Sequence, residues 1–171
     1  MCNPTTLCVG VLLGGLLAGC SLFEEQRVIN LSIQTDETTY EVKEDHPLVI
    51  SYTYHNQGPN SVYLGTCLGT ASHQFEKLID GEWTLAYSLA CNEVLGPALK
   101  IRPGERYTTS IGLIPADWDP DPRNGWRGGD DIVGTYRMSE LVYSDWSVKK
   151  FNAGTLPPPE MVYSNPFEIR R

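Results

Sequence analysis

The chain reads as all-β: a single antiparallel β-sandwich of about eight strands behind a cleaved signal peptide. Three observations lead there. Apolar residues recur at every second position through most of the chain. Between those segments lie the turn pairs of hairpins, such as Asp80-Gly81 and Pro103-Gly104. No window carries apolar residues at helical spacing with capping residues at its ends. Short strands joined by tight turns pack as a sandwich rather than as a parallel sheet.

In order along the chain, Ile29, Leu31 and Ile33 alternate with Asn30, Ser32 and Gln34. Leu48, Ile50, Tyr52 and Tyr54 alternate with Val49, Ser51 and Thr53. Shorter strands are expected at residues 62–66, 74–79, 136–143 and 161–163. Trp83, Leu85, Tyr87, Leu89 and Cys91 share one face, with Thr84, Ala86, Ser88 and Ala90 on the other, and Trp83 reads as central core. Tyr107, Thr109, Ile111 and Leu113 repeat the alternation, as do Phe167 and Ile169. Asp80-Gly81 is a two-residue hairpin signal, because a type I′ turn needs positive φ twice. Pro103-Gly104 has the order of a type II turn. Residues 57–60 form a loop. Two segments are too long for simple turns. Residues 115–133 hold five Asp, three Gly, three Pro and two Trp. Residues 144–160 hold Lys149-Lys150 and the stiff run Pro157-Pro158-Pro159. Long loops on a rigid sheet scaffold often carry function.

The apolar run 7–18 is 12 residues long, whereas a membrane-spanning helix needs about 20. It ends in Leu17-Ala18-Gly19-Cys20, which resembles the lipobox of bacterial lipoproteins. The resemblance implies cleavage before Cys20 and lipid on its thiol. It divides the chain into a signal peptide (1–19), a lipidated cysteine and tether (20–27) and one domain (28–171). The protein is then exported and lipid-anchored in the cell envelope. Ser21 after the modified cysteine resembles the signal for release to the outer membrane in a Gram-negative host.

Of the five cysteines, Cys2 and Cys8 leave with the signal peptide and Cys20 takes lipid. Cys67 and Cys91 remain, an even pair in an exported protein, and a disulfide is expected. The net charge of -8 argues against nucleic acid and anionic lipid as partners. The tether of about seven residues reaches about 25 Å at most, so the domain stays near its membrane.

Gly134-Thr135-Tyr136 resembles the Gly-x-Tyr element of immunoglobulin-like domains, which implies a tyrosine corner and an immunoglobulin-like sandwich. A closer likeness is to the small intracellular proteinase inhibitor type of domain. It is carried by Tyr40, the alternating strand ending in Asn56, Asp80-Gly81, Pro103-Gly104-Glu105 and Gly134-Thr135-Tyr136. It spans residues 38–143 and implies the same fold, with proteinase inhibition as its functional counterpart.

Catalytic motifs are sparse. His46, His55 and His73 lack the spacing of paired zinc ligands and read as exposed. Ser147-Val148-Lys149-Lys150 matches the Ser-x-x-Lys of penicillin-binding enzymes, but lies in a loop without the partner motifs, so it reads as chance. Asp117, Asp119 and Asp121 have alternate spacing that could converge on calcium, or form a solvated acidic loop. Trp118, Trp126 and Trp146 fall in or beside the long loops. They could stack on a sugar or anchor a partner, or cap the open end of the core. The expectation is a non-enzymatic envelope lipoprotein with no cofactor, binding or supporting an unknown ligand. A tethered proteinase inhibitor and a glycan-binding module are the alternatives.

Overall fold

The computed structural model describes residues 28–43, 46–67, 70–72, 74–88, 97–113 and 132–171. The strands in chain order are β1 (Leu31–Thr35), β2 (Thr39–Glu41), β3 (Leu48–Asn56), β4 (Val62–Leu64), β5 (Thr66–Cys67), β6 (Thr70–Ala71) and β7 (Gln74–Ile79). They continue with β8 (Glu82–Ser88), β9 (Leu99–Ile101), β10 (Arg106–Leu113), β11 (Gly134–Tyr143), β12 (Glu160–Tyr163) and β13 (Phe167–Arg170). One short helix, α1 (Val148–Asn152), lies between β11 and β12.

The fold is all-β, in two main sheets. The smaller has the order β1-β3-β10. The larger runs β2-β13-β11-β4-β9, with β7 and β12 also paired to β11 and β8 paired to β7. Strand β3 shows why the pattern folds this way. Leu48, Ile50, Tyr52 and Tyr54 are buried, while the residues between them are exposed or half-buried. They meet Tyr136, Met138 and Val142 of β11, Leu64 of β4, and Phe75, Phe167 and Ile169 in one core. Asn56 ends β3 fully buried and fully bonded. Its Nδ2 donates to the carbonyls of Asn60 at 2.8 Å and Ile101 at 2.9 Å, and its Oδ1 accepts from the Gly58 amide at 3.0 Å.

The turn chemistry is as the residues dictate. Asp80 and Gly81 both have positive φ, 52° and 86°, as a type I′ turn requires. Gly104 has φ 74°, and Glu105 N–H closes onto the Arg102 carbonyl at 3.0 Å. Tyr136 O–H donates to the Ile132 carbonyl at 2.6 Å, the bond of a tyrosine corner.

Four expectations are corrected. The described residues hold thirteen strands rather than about eight, because five of them are ladders of only two or three residues. The sandwich is not wholly antiparallel, since β13 runs parallel to β2. Trp83 is not central core. Phe75 pairs with Tyr87 but Glu76 with Leu85, so Ala86 is an extra residue in β8. Such a bulge reverses which alternate residues face inward. Ala86 and Tyr87 are buried, and Trp83 lies half-buried on the outer face. Finally, Ser147 does open a helix: its side chain caps α1 by accepting from Lys150 N–H.

Candidate functional site

The two outer faces of the sandwich differ in chemistry. On the smaller sheet, the register lines up Ser32, His55 and Arg106, then Gln34, Thr53 and Thr108, then Ser51 and Ser110. Thr53 and Thr108 share a hydrogen bond of 2.8 Å. That face is hydroxyl-rich and suited to water. On the larger sheet, Trp83 pairs with Leu78, Arg137 with Glu76, Ser139 with Gln74 and Tyr163, and Leu141 with Met161. Leu78, Leu141, Met161 and Tyr163 are each about 40% exposed.

Arg137 organises the middle of this face. Its guanidinium carbon lies 4.4 Å from the Trp83 ring centroid and 3.8 Å from that of Tyr163. Glu76 Oε2 accepts from its Nε at 2.7 Å and lies 2.6 Å from its terminal nitrogen. A guanidinium stacked between two aromatic rings and paired with a carboxylate is satisfied, so this group holds the platform together.

Beside the platform, the sheet forks. Strand β11 pairs with β7 up to Ser139 opposite Gln74, and with β4 from Val142 opposite Leu64. Among the described residues, nothing pairs with Glu140 and Leu141 on that side. The chain between β4 and β7 leaves as the β5–β6 hairpin, whose neck is tied by Ser72 N–H to the Gly65 carbonyl at 2.9 Å. A cavity of about 170 Å³ opens at the fork. Gly65, Ser72 and Gln74 form one wall, and Ser139 to Leu141 with Tyr143 the other.

Trp146 closes the cavity. Its ring meets Tyr143 edge-on at 5.1 Å and stacks on Phe151 at 5.4 Å. The strap that carries it is fastened by the Ser147 cap and by a Lys150–Asp145 ion pair. Among the described residues, Ser139 Oγ and Trp146 Nε1 are buried and have no hydrogen-bond partner. Ser139 is only 1% exposed. Buried polar atoms without a partner cost stability.

On the core side of the same strand, Glu140 is buried and its Oε2 accepts from Tyr54 O–H at 3.0 Å. Burial pushes its carboxyl up to about 8. Burial and the nearby Glu140 raise Tyr54 well above the ordinary tyrosine range. This pair belongs to the core.

Of the residues singled out in the sequence, Trp146 stands at the cavity. It is half-buried and forms part of the cavity wall. Cys20, Cys91, Asp117, Asp119, Asp121, Trp118 and Trp126 lie outside the described residues, as do His73 and the Cys67 side chain; Cys67 itself falls in β5. Among the described residues, no three His, Cys, Asp or Glu side chains cluster as metal ligands would, and no helix is long and apolar enough to cross a membrane. Ser139 and Tyr143 were not singled out by sequence. Their only signal was the alternation over residues 136–143, which sets them on one face with Arg137 and Leu141.

A wider depression of about 670 Å³ lies by Tyr40, Lys43 and His46. Tyr40 O–H donates to Asp36 at 2.5 Å and accepts from Glu37 N–H at 3.3 Å, so its polar tip serves the β1–β2 connection.

No family model matches the chain, and no curated protein matches it. Among solved structures, it is similar to a beta-glucosidase from Listeria innocua in complex with isofagomine, at 9% identity and TM-score 0.35. That match covers 84% of this chain and 16% of the other. The D270A mutant of that enzyme with laminaribiose matches at 10% identity and TM-score 0.34, covering 82% and 16%. The chain thus spans about a sixth of those enzymes, and likeness at this level carries no argument about activity.

Proposed function

We propose that the protein is a non-enzymatic, envelope-tethered binding module that presents the outer face of its larger sheet. The tether is the lipid on Cys20, a reading supported by Leu17-Ala18-Gly19-Cys20 and the short run after it. The immunoglobulin-like reading of the sandwich is supported by the Tyr136 corner. One observation carries the choice of face. The larger sheet's outer side combines exposed apolar residues with a cavity lined in part by Gln74, Ser72 and Trp146. The smaller sheet's outer side is polar apart from Val49, a single exposed apolar residue at its end. Apolar patches beside a few convergent polar groups mark recognition sites.

The test is site-specific photocrosslinking in intact envelopes. A photoreactive residue at Leu141, beside the cavity, is expected to give a discrete crosslinked product. The same group at Thr53 or Thr108 is expected to give none. Products from Thr53 and Thr108 with none from Leu141 would overturn the assignment.

A further inference from the structure

We propose that the end of the sandwich carrying α1 rests on the bilayer to which Cys20 is anchored, with Val148 and Phe151 entering the headgroup boundary. This orientation rests on the lipidated-Cys20 reading above and goes beyond it.

The tether joins the domain at that end. Asn30 lies beside the Gln57-Gly58 loop, its carbonyl accepting from Gln57 N–H at 2.8 Å. The neighbouring Asn56 side chain donates to the Ile101 carbonyl at 2.9 Å. Ile101 pairs with Val62, and Tyr63 pairs with Tyr143, the last residue of β11. From Tyr143, ring contacts run to Trp146 and on to Phe151. The root of the tether and α1 therefore share one end of the sandwich. The Asp80-Gly81 turn lies at the other end, because β7 runs antiparallel to β11 with Lys77 opposite Tyr136. Ten residues of β11, at about 3.3 Å each, separate the two ends by about 30 Å. Residues 21–27 reach about 25 Å at most, so the domain cannot stand upright on its Asp80 end.

The surface chemistry of the two ends agrees with this. Val148 is 55% and Phe151 39% exposed, on a helix that also carries Lys149 and Lys150. Lys150 pairs with Asp145 as well. Residues 146–159 contain those two lysines and no Asp or Glu, on a chain of net charge -8. The opposite end presents Asp80 and Glu82, both exposed. Apolar side chains beside lysines suit a headgroup boundary: the ring and the branched carbons enter the acyl edge, while ammonium groups reach phosphate oxygens. The net charge opposes a strongly anionic surface, so the occupant is a bilayer rich in zwitterionic headgroups. A helix of five residues buries too little to recruit a free protein. On a tethered domain it has only to select an orientation, since the tether supplies the local concentration. With the strands upright, the outer face of the larger sheet points sideways, open to a partner.

The experiment places the mature lipidated chain in phosphatidylcholine vesicles, with a photoreactive residue at Phe151 in one variant and at Glu82 in another. Phospholipid adducts are read by mass. Position 151 is expected to give severalfold more adduct than position 82. Val148→Glu, at a mostly exposed position, is expected to leave the melting temperature unchanged and to cut the adduct at 151 severalfold. Equal yields from the two ends would overturn the proposal, as would an adduct at 151 that ignores Val148→Glu, or crosslinking at 151 only to a second copy of the chain. If intact mass shows no lipid on the chain, the tether reading falls and the orientation with it. If lipid is present and the two ends react equally, the orientation alone falls.

Discussion

Replacing Glu140 with Gln should stabilise the protein in a strongly pH-dependent way. Glu140 is 3% exposed, and its Oε2 accepts from Tyr54 O–H. Burial raises its carboxyl from an ordinary 4.5 to about 8. The folded chain therefore keeps a proton that the unfolded chain releases. For a raised group, the contribution to stability is fully present below about pH 4.5. It is lost as pH rises toward 8, at about 1.4 kcal/mol per pH unit. By pH 8 the loss is on the order of 4 kcal/mol, against on the order of 1 kcal/mol at pH 5. Burial raises Tyr52 and Tyr54 well above the ordinary tyrosine range, so neither carries charge in this window. Gln retains a carbonyl to accept from Tyr54 and cannot ionise. Urea unfolding of both chains at pH 5, 6.5 and 8 measures the difference directly, because titration of all other groups cancels to first order. The advantage of Glu140→Gln should grow by on the order of 3 kcal/mol from pH 5 to pH 8. A flat difference, or one that shrinks with pH, would refute the reasoning.

Two further outcomes follow from single bonds and residues. Tyr136→Phe leaves the Ile132 carbonyl without its donor in a buried site, and should cost about 1–3 kcal/mol in chemical unfolding. Cys20→Ser should abolish incorporation of labelled fatty acid and leave the precursor uncut, as intact mass will register; two or more acyl chains are what make such attachment stable.

Local chemistry was legible in the sequence; the arrangement of the site was not. The turns at Asp80-Gly81 and Pro103-Gly104 depend on φ preferences that act within a few residues. The long strands β3 and β10 announce themselves because one face is buried and the other wet. The Tyr136 corner closes over four residues and is similarly local. What escaped is set by neighbours distant in sequence. The fork at residues 140–141 exists because β11 exchanges β7 for β4, which no pattern within β11 encodes. The extra Ala86 in β8 preserves an apolar-looking alternation while turning Trp83 outward to meet Arg137. The five-residue α1 is too short to show a helical period, and its one local signal is the Ser147 cap. Trp146 was conspicuous as a tryptophan near a long loop, but Ser139, its companion in the cavity, is an unremarked serine in a strand.

The central claim is that the outer face of the larger sheet is the binding face. Photocrosslinking in intact envelopes, with the reactive group at Leu141 in one variant and at Thr53 in another, tests it most directly. The account predicts a discrete product from Leu141, which stands exposed beside Met161, and none from Thr53. A product from Thr53 with none from Leu141 would contradict it.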